Sequence, residues 1–294
     1  MTLHYALTIV IGTLNRPQTV LKLLKELLQT QRKINFEVLV FDQSTNENYQ
    51  NLLSKFPKQR GFTLFHFTPN NTPKYLNMGW QKANSPLVLY LDDDVSLTPD
   101  TLSTHLKAYE NAAVLGVAGR VINDGEKLSS SSTVGKVLFF GAGFVQSFSS
   151  LKGQSVDFPY GCNMSFRKSA LETLAGFDER LAPPVFAYNE VDLGYRLNKL
   201  SPHSLVFAPQ ALVYHHRAGS GGTRDSKNQS LIAKGNAFNY GYFVGKNFSC
   251  AQNLLFLMRR LPYQILREPN LLLPIIKGLL AGKKILSPNA KQSL

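Results

Sequence analysis

The strongest constraint on the fold is an alternation in the first hundred residues. Four short runs rich in Val, Ile, Leu and Phe, Ala6–Ile11, Phe36–Phe41, Phe62–Phe67 and Leu87–Leu91, are separated by helix-length segments. Apolar runs of this kind predict strands buried on both faces, as in a parallel sheet. Between them, Pro17–Thr30 carries Val20, Leu23, Leu24, Leu27 and Leu28 at helical spacing, and Asn46–Phe56 and Pro73–Ala83 follow suit. Strand, helix, strand repeated three times requires right-handed crossovers, so the expected fold is α/β: a mostly parallel open sheet with helices on both faces. Ligands in such sheets bind beyond the carboxyl ends of the strands. Those ends carry Thr13, Asn15 and Arg16, then Asp42 and Ser44, then Asp92, Asp93 and Asp94.

Beyond Thr98 a helix is expected to about Asn111 and a strand over Val114–Val121, then a polar, Ser-rich loop and shorter strands over Val137–Phe148 and Gln154–Phe158. Lys168–Ala175 reads as a short helix closed by Gly176, Tyr188–Leu200 as a longer one, and Leu205–Phe207 and Ala211–Tyr214 as short strands. A glycine-rich hinge follows, and from about Ser226 the chain reads as helical and basic. The expected division is 1–223 for the main domain, with halves 1–100 and 101–223, and 224–294 for the extension.

The sharpest chemical feature is LVLYLDDDV. Three adjacent carboxylates at a strand end repel one another and lose solvation, and a hard divalent cation relieves both. In an extended stretch Asp92 and Asp94 point the same way and can address one ion, Mn2+ or Mg2+, which leaves positions open for phosphate oxygens. The bland alternative is a solvated acidic turn that caps the next helix. His215 and His216, after a short strand, are further ligand candidates, because neutral imidazole can complete a site begun by carboxylates.

In the order IVIGTLNRP, VLVFDQSTNE, NMGWQKANSPLVLYLDDDVSLTPDTL, GCNMSFRKSALETLAGFDERL, NEVDLGYRL and VYHHRAGS, the chain resembles family 2 glycosyltransferases of GT-A (Rossmann-like) fold over roughly residues 5 to 220. The resemblance implies a metal-dependent inverting transferase that moves one hexosyl or deoxyhexosyl unit from a nucleoside diphosphate-sugar to a hydroxyl acceptor, a saccharide or lipid-linked saccharide, in cell-surface polysaccharide or glycolipid synthesis. Asp94 then binds the metal bridging the donor phosphates, and Asp92 or Asp93 holds the ribose or assists the metal. Asp42 meets the base, and Thr13, Asn15 and Arg16 flank base and ribose. Lys74, Arg217 and Arg224 are candidates for the diphosphate. In NEVDLGYRL the family's Glu-Asp-x-Asp becomes Asn189, Glu190, Val191, Asp192, which puts Glu190 at the base position with Asp192 as the alternative, or as an i, i+4 partner of Arg196. His215 is preferred to His216 as the third ligand. The family's processive members carry Gln-x-x-Arg-Trp, whereas the sole tryptophan here is Trp80, so single-sugar transfer is implied.

Charge adds a second theme. The chain has 32 Lys and Arg against 19 Asp and Glu, a net +13, so an anionic partner is expected. From Ala251 to the end, seven cations face Glu268 alone and interleave with leucines and isoleucines, a pattern suited to an anionic membrane surface. The competing expectation is packing on the main domain or on a second subunit, which leaves the oligomeric state open. No run reaches the roughly 20 apolar residues of a spanning helix, MTLHYALTIVIG reads as a buried strand, and two distant cysteines fit a reducing compartment. The expected location is cytoplasmic, peripheral on the inner face of the membrane. A non-catalytic nucleic-acid or anion binder is the contrasting reading. It does not account for the carboxylate edge, and no aromatic-basic RNA motif accompanies the charge, so no nucleic-acid partner is expected. A nucleotidyltransferase needs a glycine-rich basic turn after the first strand, which GTLNRP does not supply.

Overall fold

The structure, a computed structural model, describes residues 5–30, 34–181, 185, 187–218 and 229–285. Its first half is four parallel strands with crossover helices: β1 (Leu7–Thr13), α1 (Pro17–Thr30), β2 (Phe36–Asp42), α2 (Asn46–Lys55), β3 (Phe62–His66), α3 (Thr72–Lys82) and β4 (Leu87–Asp92). The strands lie in the order β3-β2-β1-β4. β2 is buried at every position, and α1 turns Val20, Leu23, Leu24 and Leu27 into the core. Chain order reverses at β1, with β2 on one side and β4 on the other, so the strand ends there open into a crevice.

The second half extends the same sheet. It contains β5 (Val95–Leu97), α4 (Thr101–Ala108), β6 (Gly116–Asn123), the hairpin β7 (Lys136–Leu138) and β8 (Gly143–Val145), β9 (Gln154–Ser155), β10 (Asn163–Arg167), α5 (Lys168–Thr173), α6 (Asn189–Leu200) and β11 (Leu205–His215). The order continues β4-β10-β6-β11-β5, with β9 also on β11. β10 runs antiparallel to both β4 and β6, and β11 runs parallel to β6. The sheet is therefore mixed but mostly parallel.

Several boundaries differ from expectation for physical reasons. α4 is shorter than the helix expected over Thr98–Asn111. The two short strands expected after α6 are one, β11, whose pairing with β6 slips between Ala208 and Leu212. Asn163 fastens this bulge: its Nδ2 donates to the Arg120 carbonyl (3.0 Å) and the Ala211 carbonyl (2.8 Å), and its Oδ1 meets His105 Nε2 (2.9 Å). Gly119 makes room, since a Cβ there would lie 2.1 Å from that Nδ2. β10 itself was not expected as a strand, because Asn163 and Ser165 interrupt its apolar pattern. Both are fully buried, and Ser165 bonds His105 Nδ1 (2.8 Å) and the Tyr109 hydroxyl (2.9 Å).

Three helices complete the chain: α7 (Gln229–Asn247), α8 (Cys250–Arg267) and α9 (Leu272–Ile285). α7 and α9 pack at backbone contact through Gly241 and Gly245 on one and Gly278 and Gly282 on the other. A Cβ at Gly241 would lie 2.0 Å from the Ile275 carbonyl oxygen, and one at Gly278 2.0 Å from that of Phe238. No helix among the described residues is long and apolar enough to cross a membrane.

Candidate active site

Register sets the site. Thr13 pairs with Asp42, Asp42 with His66, and Gly12 with Asp92, so four strand ends deliver their terminal side chains along one edge. Above this edge lies a cavity of about 340 Å3 whose lining includes Thr13, Arg16, Tyr75, the three aspartates, Cys162, Glu190 and His215. Gly12 is required because Tyr75 lies across it, and a Cβ would meet the ring at 2.3 Å.

The three adjacent aspartates have different surroundings. Asp93 turns toward β1, where Thr13 Oγ1 donates to it at 2.6 Å and Arg16 Nη1 at 2.9 Å. Burial nevertheless pushes its carboxyl up to about 6, against the pull of Arg16 and Thr13. Asp94 is buried too, but the hydrogen bond and charge of His215, the Ala218 N–H (2.8 Å) and Arg16 (3.3 Å) outweigh burial and hold it well below the usual carboxylate range. Asp92 stands at the mouth. His215 Nε2 lies 3.2 Å from Asp94 and 3.8 Å from Asp92, and the ligand atoms of Asp92, Asp94 and His215 all fall within 4.8 Å of one another. At the other ring nitrogen, Nδ1 sits 2.8 Å from Asn123 Oδ1. An amide oxygen only accepts, so Nδ1 donates to Asn123, and Nε2 is the ring nitrogen that faces the carboxylates, where a bound ion would take it as a ligand. Two carboxylates and one neutral imidazole are the donor set that a hard or borderline divalent ion takes. His216 points elsewhere, to Ser96 Oγ (2.8 Å) and Asp124 (3.2 Å), while its backbone N–H bonds the Asp94 carbonyl.

At the β2 end Asp42 is fully buried. The Ser44 N–H (2.9 Å) and the Ser44 hydroxyl both donate to Oδ1, and Oδ2 has no hydrogen-bond partner among the described residues. Burial raises the Asp42 carboxyl above its ordinary value despite these bonds. An unsatisfied buried acceptor is costly unless a ligand N–H reaches it. Nearby, Tyr49 and His66 stack at 3.9 Å between ring centroids, and His66 Nε2 contacts the Ser44 carbonyl at 3.0 Å. Asn15, at φ 57°, ties the β1 turn to the β2 turn by donating its N–H to Ser44 Oγ and accepting from the Thr45 N–H.

Glu190 enters from the opposite wall, in the first turn of α6. Burial pushes its carboxyl up to about 7, with Asp92 adding in the same direction. The turn before it is strained: Tyr188 adopts φ 72°, and its ring stacks on Tyr240 and Phe243 of α7. Asp192 faces away from the cavity. It is fully buried and accepts from Arg196 (2.8 Å), Lys246 (2.8 Å) and Asn247 (2.9 Å). Lys246 also reaches Asp178 at 2.7 Å, where Tyr242 donates as well. The extension is thus keyed into the helix that presents Glu190. Lys74 and Arg217 are exposed and outside the cavity wall, and Arg224 lies outside the described residues. Sequence reasoning missed Tyr75, Asn123 and Lys246. Lys246 had a signal, a single cation in the apolar run FNYGYFVGKN.

Residues 8–175 match the family described as Glycosyl transferase family 2, more than half of the chain. The chain belongs to that family. Family membership makes it a glycosyltransferase, and solved structures bear out the GT-A fold. It superposes on S. aureus TarS 1–349 in complex with UDP-GlcNAc with a TM-score of 0.63 at 14% identity, over 93% of this chain and 81% of that one. GalNAc-T7 with UDP, GalNAc and Mn2+ gives a TM-score of 0.61 at 14% identity, over 90% of this chain and 58% of that one. Among curated proteins the family 2 chain is similar to the O-antigen biosynthesis protein RfbC of Myxococcus xanthus, 25% identical over 227 residues. That match takes in 72% of this chain but spans only 17% of the relative's length.

Proposed function

We propose that this transferase is metal-dependent and inverting, and moves one sugar from a nucleoside diphosphate-sugar to a hydroxyl of a saccharide or lipid-linked saccharide during cell-surface polysaccharide or glycolipid assembly. The observation that carries the reading is convergence: three ion-ligating groups and a raised carboxyl on Glu190 line one cavity, and Asp42, with an unsatisfied buried acceptor, ends the strand next to Thr13 on its wall. Similarity to an O-antigen biosynthesis protein supports the acceptor class, and the UDP-containing neighbours make a UDP-sugar the first donor to test.

In this reading Asp42 Oδ2 accepts the N–H of the base, and Thr13, Asn15 and Arg16 shape the wall beside the nucleoside. Asp92, Asp94 and His215 Nε2 would hold Mn2+ or Mg2+, and such an ion would supply positive charge against the departing diphosphate. The imidazole ligand favours manganese. Glu190 accepts the proton of the acceptor hydroxyl as that oxygen attacks the anomeric carbon and the bond to the diphosphate oxygen breaks on the opposite face. A carboxyl poised near neutrality suits that role. Lys74, Arg217 and Arg224 are the cations assigned to the diphosphate in this reading, although Lys74 and Arg217 stand outside the cavity wall. The basic C-terminal segment brings the enzyme to the anionic inner face of the cell membrane.

Glu190→Gln tests the base. It is expected to lower kcat by roughly 100-fold or more while nucleotide affinity stays unchanged. Undiminished transfer by this variant would remove Glu190 from the mechanism.

A further inference from the structure

α8 is built the wrong way round for a helix that only packs on its own domain. Amphipathic helices turn their apolar side to the core, yet two of the three buried α8 residues are polar, Asn253 and Gln264, with Phe256 the third. Asn253 Nδ2 caps the Phe248 carbonyl and Gln264 Nε2 the Glu268 carbonyl, while Asn253 Oδ1 and Gln264 Oε1 are buried without a hydrogen-bond partner among the described residues. The outward side holds Leu254, Leu255, Met258, Ile265 and Leu266, with Met258 57% and Leu266 81% exposed. At about 100° per residue, Leu254, Met258 and Ile265 fall on one line and Leu255 and Leu266 beside it. The patch does not end with the helix. The Arg259 guanidinium lies 3.9 Å from the ring centre of Phe139, in the turn between β7 and β8, and Phe139 is itself 56% exposed.

We propose that the outward face of α8, together with Phe139, lies in the surface of an anionic bilayer. This rests on the membrane reading above and names the surface that performs it. Charge selects the occupant. Over Cys250–Ile285 the cations are Arg259, Arg260, Arg267, Lys277, Lys283 and Lys284, and the single anion is Glu268. A second copy of the chain would set these cations against their own like, which opposes association, whereas acidic headgroups complement them. On α8 itself Arg259 edges the apolar face, while Arg260 turns inward over Tyr240 and Tyr263; an amphipathic helix of this kind lies in the plane of the headgroups and needs no spanning segment. The β7–β8 hairpin also joins this face to the active site: the Gly141 carbonyl accepts from the Tyr240 hydroxyl, and Tyr240 stacks on Tyr188, two residues before Glu190. Docking through α8 and Phe139 therefore holds the Glu190 wall close to the bilayer, where a lipid-linked hydroxyl is presented.

Vesicle flotation of the full chain tests this, with phosphatidylcholine vesicles with and without phosphatidylglycerol. The wild type is expected to float with the mixed vesicles and at least about tenfold less with phosphatidylcholine alone. Met258→Asp and Leu266→Asp, both outward and expected to melt like the wild type, should each lower flotation about tenfold. Leu53→Asp, an exposed leucine on α2 (42% exposed), should not. Wild-type protein that stays at the bottom with anionic vesicles would overturn the membrane reading as a whole. Variants that float like the wild type would overturn this surface and leave that reading standing. A concentration-dependent dimer abolished by Met258→Asp would show that a second copy covers the face, against the proposal.

Discussion

Glu190 is placed by sequence and tuned by structure. Its position in NEVDLGYRL marks it as acidic and helix-initial, but only the fold shows that burial raises its carboxyl to about 7. A base works when deprotonated, so kcat/KM for transfer is expected to rise with pH and level off above about 7. A plateau already reached near the ordinary glutamate value would remove the burial argument. The same contrast holds for the histidines. HH cannot say which ring faces the aspartates, and the orientation is fixed by Asn123, 92 residues away, whose Oδ1 accepts a hydrogen bond from His215 Nδ1. Asn123→Ala frees the ring to turn or change tautomer, and is expected to weaken Mn2+ binding by roughly 10- to 100-fold, the range seen when outer partners of metal ligands are lost. Direct titration with Mn2+ reads this without catalysis, and unchanged affinity would deny Asn123 that part. Asp192 was equally legible as an acid, and its pairing with Arg196 follows from i, i+4 spacing. Its partners Lys246 and Asn247 are 54 and 55 residues distant and leave no local pattern.

Elements defined by local periodicity are readable to within a few residues, and those defined by partners are not. α1 was expected at Pro17–Thr30 and is found there, because one apolar stripe against a sheet is a property of the segment itself. β10 escaped because Asn163 and Ser165 look solvent-facing until His105 and Tyr109 arrive from α4 to satisfy them. α7 is the clearest case of an element whose role lies in its contacts. Burial pushes the Asp178 carboxyl up, but Arg180 and Lys246 outweigh it and hold the group well below the usual range. A depressed carboxylate contributes stability that is complete above its unfolded pKa and declines as pH falls through that range toward the lowered value, so this junction weakens in acid. Lys246→Met leaves Asp178 and Asp192 with one donor fewer each. Hydrogen bonds to charged groups are worth about 2 kcal/mol, so thermal melting should fall by several degrees and kcat should fall more than donor affinity, since α6 carries Glu190. Lys246→Arg should restore much of both. Unchanged melting and turnover in Lys246→Met would mean that the extension does not position α6.

At the scale of the molecule, the +13 charge is unevenly placed. Arg16 faces an acidic cleft at the strand ends, and a concentrated excess runs along α8 and α9. The cleft sits where an open sheet with reversed strand order must put one, which is why its location could be read from four apolar runs and three aspartates. The proposed metal site depends on His215 arriving from β11, a strand paired to β5 beside the aspartates and far from them in sequence. Calorimetric titration of UDP into the protein, with and without Mn2+ and repeated on Asp94→Asn, tests this arrangement most directly. The account predicts binding that Mn2+ strengthens at least about tenfold in the wild type, with that gain lost in Asp94→Asn. Binding of equal strength in all conditions would contradict it.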